Sequence, residues 1–341
     1  MRKYGTLALV FVVVASAAGA LLSSRRADDQ PYGSVELGSG EARPAGLIED
    51  LFAALTPGAP ATPTPTSPPP GYEPVEPGDR IAAGEPDTVR LLMGTFDGGQ
   101  QGLFASYCSY THSLPDDPIV FPSQPGGSHL HDFFGATGTD AYSTDDSLRN
   151  TESTCNYPGD SASYWVPALY EDGQRTTPNF VGAYYTAGGK NHRTIEPFPK
   201  GLKLVVRDTE NWTWYCLSGA TMAHSFSKGS PSCPSGEHLG LEIRFPDCWD
   251  GMYLDVPDHR SHVVFADKAV CPASHPVPLP QLSFFVTYPE SRGTGQLLLA
   301  PLASPSPVHA DFLNSWNQEQ QARFVRDCIR ANVFCGSNPP M

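Results

Sequence analysis

The stretch QLSFFVTY, residues 281–288, is short, rich in Phe, Val and Tyr, and closed by Pro280 and Pro289. Branched and aromatic residues bounded by proline read as a β-strand, because the chain is too short and too interrupted there for a helix. The same grammar recurs outward in both directions: PIVFP, SYWVPALY, FVGAYYTAG, GLKLVVRD, LGLEIRFP and SHVVFA each sit between Gly or Pro punctuation. No long segment with a 3.6-residue period lies between 95 and 310, which excludes alternating βαβ units. The expected fold is all-β: an antiparallel sandwich or jelly-roll-like domain with long loops.

The C-terminal tail breaks the pattern. Ser315 followed by Gln318 makes a capping box, and Phe324, Val325, Cys328 and Ile329 form an apolar stripe, predicting a helix over about 316–331. Cys328 and Cys335 are separated by roughly 10 Å of rise on a continuous helix, too far for a bridge. If they pair, the helix ends between them, with Asn332 as the stop.

Three regions are expected. Residues 1–26 carry Arg2 and Lys3, an apolar run from Leu7 to Val14 and the small residues Ala15-Ser16-Ala17, the layout of a secretory signal peptide or an uncleaved anchor. Residues 27–93 hold 11 acidic and 3 basic side chains, no cysteine and a proline tract, the composition of a disordered linker. Residues 94–341 then form the β domain with its helix. All eight cysteines lie in that domain and no CxxC pair occurs, so disulfides and an extracellular or cell-surface location are expected. Eight cysteines leave 105 possible pairings open. A net charge of -14 without a basic run argues against nucleic acid as a partner. A membrane enters only through the N-terminal segment if it is uncleaved.

The chemistry-bearing residues gather in few places. In SHLHDFFG, 128–135, His129 and His131 would face the same way on a strand, a geometry that suits a metal. In DVPDHRSH, 255–262, Asp255, Asp258, His259 and His262 would converge at a strand end. Imidazole and carboxylate together are what zinc or copper prefers, so His129, His131 and His262 are candidate ligands of a divalent metal, and Asp132, Asp258 and His259 candidate catalytic groups. The competing reading has these histidines hydrogen-bonding loop carbonyls and the aspartates fixing turns. Asp116 and Asp117 precede a proline and read as a turn. Trp212 and Trp214 would share a strand face and could stack on sugar, although paired tryptophans more often fill a sandwich core.

Together YCSYTHSLPDDPIVFPSQPGGSHLHDFFG, STC at 153–155, SYWVPALY, PFPKGLKL, WYC, FPDCWDG, LDVPDHRSHVVF and CPASHPVPLPQL resemble the DUF1996 domain family over roughly 104–290. His129, His131, Asp132 and Gly135 fall in its HxHxFFG block, and Asp255, Asp258, His259 and His262 in its LDxxDHxSH block. Ala136 and Thr111 depart from the expected asparagine and serine. The resemblance implies a place at extracellular or cell-wall polysaccharide, since such domains occur beside wall-binding modules. It implies no activity. The functional expectation is a hydrolase or lyase acting on that polysaccharide, with metal assistance; the alternative is a non-catalytic glycan-binding or structural, stress-related envelope protein.

Overall fold

The structure is a computed structural model that describes residues 68–86, 102–207, 211–218, 221–226, 233–234, 236–290, 297–300 and 308–335. The signal or anchor segment 1–26 and residues 27–67 and 87–93 of the expected linker lie outside them. Among the described residues no helix is long and apolar enough to cross a membrane.

Eleven strands form one curled, mainly antiparallel sheet: β1 (Leu103–Leu114), β2 (His131–Gly135), β3 (Ser163–Pro167), β4 (Phe180–Thr186), β5 (Lys203–Arg207), β6 (Trp212–Ser218), β7 (Thr221–Phe226), β8 (His238–Arg244), β9 (Gln281–Glu290), β10 (His309–Leu313) and β11 (Phe334–Cys335). The spatial order is β7-β6-β8-β9-β4-β1-β2-β3-β10-β5, with β11 pairing in parallel with the start of β1. The all-β expectation holds. Strand β9 shows why: Leu282, Phe284, Val286 and Tyr288 are buried while Gln281, Ser283 and Phe285 are half-buried, the period-2 pattern of a strand with one face inward.

The fold turns on β1. Its first part, Leu103–Ser109, pairs with β4, and its last part, Tyr110–Leu114, pairs with β2 across a register shift between Tyr110 and His112. One strand therefore serves two half-sheets, which close on a shared core. Tyr164 of β3 packs 5.5 Å from Phe284 of β9 and 5.2 Å from Phe312 of β10. The Trp316 Nε1–H lies 3.1 Å from the Tyr185 hydroxyl and 3.2 Å from that of Tyr164. A smaller apolar layer lies on the other face of the second half-sheet: Ile119, Phe133, Ala136, Leu148, Trp165, Val205 and Leu313. Ile119 and the short helix α1 (Asp145–Leu148) bring loop residues onto that face.

Four disulfides join Cys108 to Cys155, Cys216 to Cys233, Cys248 to Cys271 and Cys328 to Cys335. That density is consistent with an extracellular protein. Asn332, at φ 55°, follows the last helical turn, so the chain reverses between Cys328 and Cys335 as their spacing requires.

Four expectations need correction. PIVFP is a turn: the Asp117 carboxylate accepts the amides of Ile119 at 3.0 Å and Val120 at 2.9 Å, which closes the chain before a strand can start. SHVVFA shrinks to the two-residue strand Val263–Val264. Helix α2 (Gln318–Phe324) is capped by Asn317, whose side chain accepts the Gln320 amide, because the Ser315 hydroxyl is drawn instead to Asp145; the helix then widens into a π turn over Val325–Arg330. Residues 68–86 of the expected linker pack on the domain. Glu73–Pro74 pairs with Tyr253–Asp255, the Arg80 guanidinium sits 5.2 Å from the Trp249 ring, and Ala83 is buried. Composition registers the prolines of this strap but not the partners its few other side chains find.

Candidate functional site

Strand alternation sends His131 and Phe133 of β2, Trp165 of β3, and His309 and Asp311 of β10 to the outer face of the second half-sheet, since Phe133 pairs with Trp165 and Trp165 with Asp311. His129 precedes β2 and reaches the same place from the covering loop. The three imidazoles converge. His309 Nε2 lies 3.0 Å from His129 Nε2 and 3.2 Å from His131 Nε2, and one ring nitrogen from each lies within 4.8 Å of the others.

His131 Nδ1 is 2.9 Å from the Asp116 carbonyl oxygen. A carbonyl only accepts, so Nδ1 carries the proton and Nε2 presents a lone pair to the cluster. This is the arrangement by which an outer hydrogen bond fixes a metal-binding tautomer. His131 and His309 are buried and His129 is half-buried. Burial, followed by the nearby Arg207 charge, pushes His129 down to about 4. Burial, then the neighbouring His129 and His309, holds His131 well below the usual imidazole range. At neutral pH both rings are therefore neutral and free to donate lone pairs. A tetrahedral ion with bonds of 2.0–2.1 Å requires nitrogens about 3.3 Å apart, close to the spacing found.

Two carboxyls adjoin the trio. Asp117, His131 and Asp311 form a second group with donor atoms within 4.8 Å of one another. Asp117 Oδ1 accepts its two turn amides, whereas among the described residues neither oxygen of the buried Asp311 has a hydrogen-bond partner. Burial and then the Asp117 charge push Asp311 well above the usual carboxylate range.

The other sequence candidates are placed elsewhere. Asp132 alternates to the opposite face from His131 and is held by Arg175 and by the Ser113 hydroxyl at 2.6 Å. Burial raises it to about 6 against the pull of Arg175. His262 Nε2 donates to the Lys203 carbonyl at 2.8 Å. His259 pairs through Nδ1 with Asp255 at 2.9 Å, and that hydrogen bond raises its pKa. Asp258 accepts the amides of Arg260 and Ser261, the role of a turn residue. The two histidine blocks adjoin electrostatically through Asp117, whose charge acts on His259, but His259 and His262 are not among the converging nitrogens. Trp214 is buried beside Tyr288 and Trp212 packs half-buried on the same core. Cys108, Cys155 and Asp160 also cluster, but both sulfurs are in a disulfide and cannot act as thiolate ligands.

His309 and Asp311 escaped the sequence reading. VHADFL, 308–313, does alternate His, Asp and Leu on one face, a short signal after a proline-rich tract. A shallow open groove of about 520 Å³ lies on the same half-sheet, lined by Tyr110, Thr111, His112, Leu114, Thr139 and Asp140 among others. His112 stacks on Phe133 at 5.1 Å, and Phe133 in turn lies 6.2 Å from His131.

A family model described as a domain of unknown function, DUF1996, matches residues 117–316. No curated protein and no solved structure matches the chain.

Proposed function

The chain belongs to the DUF1996 family, whose description assigns no activity, and from the geometry of this member we propose an exported, disulfide-linked envelope domain that binds divalent zinc or copper through His129, His131 and His309. The observation that carries the reading is the convergence of three imidazoles, with His131 fixed as a donor by the Asp116 carbonyl. An ion held there supplies Lewis acidity toward an oxygen ligand. The loop that delivers His129 is pinned by Asp116, whose carboxylate accepts the amides of Gly126 at 2.7 Å and Ala141 at 3.1 Å. Ligand and loop are thereby held in register.

Hydrolysis or lysis of polysaccharide has weaker support. The trio is nearly closed to solvent, and Asp132, Asp258 and His259 are committed to other partners. Retention of extracellular polysaccharide is favoured by a separate observation, the open groove beside His112 and Asp140, whose mixed apolar and polar lining suits the faces and edges of sugar rings.

Metal analysis of the untagged protein tests the first reading. The wild type is expected to hold about one equivalent of zinc or copper after refilling. His131→Ala and His309→Ala should each lose it, while His262→Ala keeps it. A wild type that retains no metal overturns the reading. Polysaccharide pull-down with and without Asp140→Ala tests the groove, and equal retention by both removes it.

A further inference from the structure

We propose that the Cys108–Cys155 disulfide is a thiol–disulfide exchange site for an external dithiol, which attacks Cys155 while Asp160 passes its proton to the departing Cys108 sulfur. Among the described residues it is the one disulfide with a carboxyl oxygen within 4.8 Å of both sulfurs. Asp160 Oδ2 lies 3.8 Å from Cys108 Sγ, within hydrogen-bond reach of a sulfur. The two sulfurs are not equivalent. Cys108 is wholly buried and Cys155 half-buried, so an attacking thiolate reaches Cys155 and expels Cys108 into the core. A bare thiolate there has no water around it, and apolar surroundings raise a thiol's pKa. A proton donor in contact removes that cost. Asp160 is fully buried, and burial lifts its pKa to about 7, so near neutrality it holds a proton that it can also release.

Exchange runs in two balanced steps. One thiolate of the reagent bonds to Cys155 Sγ, the bond between the two cysteine sulfurs breaks, and Cys108 leaves as a thiol carrying the Asp160 proton. The carboxylate so formed is held by the Ser106 and Tyr164 hydroxyls and by the Ala162 amide at 3.1 Å. The reagent's second thiol, its proton lost to solvent, then attacks the mixed disulfide and frees Cys155 as a thiolate. The dithiol departs oxidised to a disulfide, and both cysteines are reduced. Segment 154–156 stays on β1 after the opening, because Asn156 N–H donates to the Tyr107 carbonyl at 2.9 Å, Tyr107 N–H to Asn156 Oδ1 at 2.8 Å and Thr154 Oγ1 to the Ser109 carbonyl at 2.7 Å. Thr154 also lines the groove, so exchange acts on the segment that forms one of its walls.

Dithiothreitol added to the folded full chain, followed by alkylation and peptide mapping, tests this. Cys108 and Cys155 should be labelled before the other cysteines. The rate per dithiothreitol thiolate should fall as pH rises through about 7, where Asp160 loses its proton. The other titratable groups facing Asp160, Tyr164 and Tyr185, are held above the usual phenol range by burial and stay neutral throughout. Asp160→Asn should slow the opening at pH 6 by about 100-fold, the lower end of what a general acid contributes, and flatten the profile. A merely structural role predicts the reverse, since a loosened core opens faster. Earlier labelling of another pair, no opening in the folded chain, a level wild-type profile, or an Asp160→Asn rate equal to or above wild type each overturns the proposal. If Asp160→Asn does not fold, the wild-type map and profile decide.

Discussion

His131 and Asp132 are neighbours in sequence and strangers in space. One faces the imidazole trio, the other faces Arg175, because adjacent strand residues point to opposite sides. That much was legible in HLHD, as was the pairing of His129 with His131, although His129 reaches its place from a loop rather than from the strand. The third imidazole was not legible. It comes from β10, 178 residues away from His131, and nothing local in VHADFL announces which strands will lie beside it. Asp160 is another residue whose state only burial reveals. It is fully buried, accepts hydrogen bonds from Ser106 at 2.5 Å and Tyr164 at 2.7 Å, and is raised by burial from 3.8 to about 7. A raised carboxyl keeps its proton in the folded state after the unfolded chain has released it. Its contribution is therefore fully present below about pH 4 and is lost as pH rises to about 7, by up to about 4 kcal/mol. Asp160→Asn should flatten the loss of stability between those pH values, read as urea midpoints at pH 4 and pH 7.5 with disulfides intact. An unchanged slope would remove Asp160 as its source.

At the scale of elements, runs such as FVGAYYT and QLSFFVTY announced their strands because one face of each is buried from end to end. PIVFP misled for a physical reason: a turn holds Ile119 inward, buried beneath the loop rather than paired in a ladder, while Val120 is half-buried and Phe121 exposed. The strap at 68–86 misled in the opposite sense, since proline-rich chain can dock wherever a few aromatic and basic side chains find partners. Gly135 shows how tightly β2 is ended. Its φ is +83°, and a Cβ there would run into the Ala162 carbonyl oxygen and crowd Tyr164 and Cys155. Left-handed backbone costs a non-glycine residue about 1–2 kcal/mol, and overpacking adds about 1–3. Gly135→Ala is thus expected to cost about 2–4 kcal/mol in a urea titration, against a gain of about 0.4–1 where a glycine's backbone already suits alanine. A loss below about 1 kcal/mol, the least that left-handed backbone alone costs, would mean that the turn yields easily.

The whole molecule is larger than the segment that defines its family. Residues 117–316 omit β1, the one strand shared by both half-sheets, and with it Phe104, Tyr107 and Cys108, all buried. They also omit α2, whose Phe324 ring stacks 5.1 Å from Phe104 and lies 5.9 Å from Trp316. Each large buried apolar side chain is worth about 1.5–3 kcal/mol, and a domain's whole margin is about 5–15 kcal/mol, so losing several at a seam exhausts it. The cut also leaves Cys155 without its partner and removes the Cys328–Cys335 clip. A fragment of residues 117–316 should therefore unfold without a cooperative transition and show a reactive thiol at Cys155, whereas the full chain melts cooperatively with all thiols protected. Near-UV circular dichroism and thiol counting distinguish the two, and a native-like spectrum from the fragment would show that β1 and the helix decorate a core complete without them.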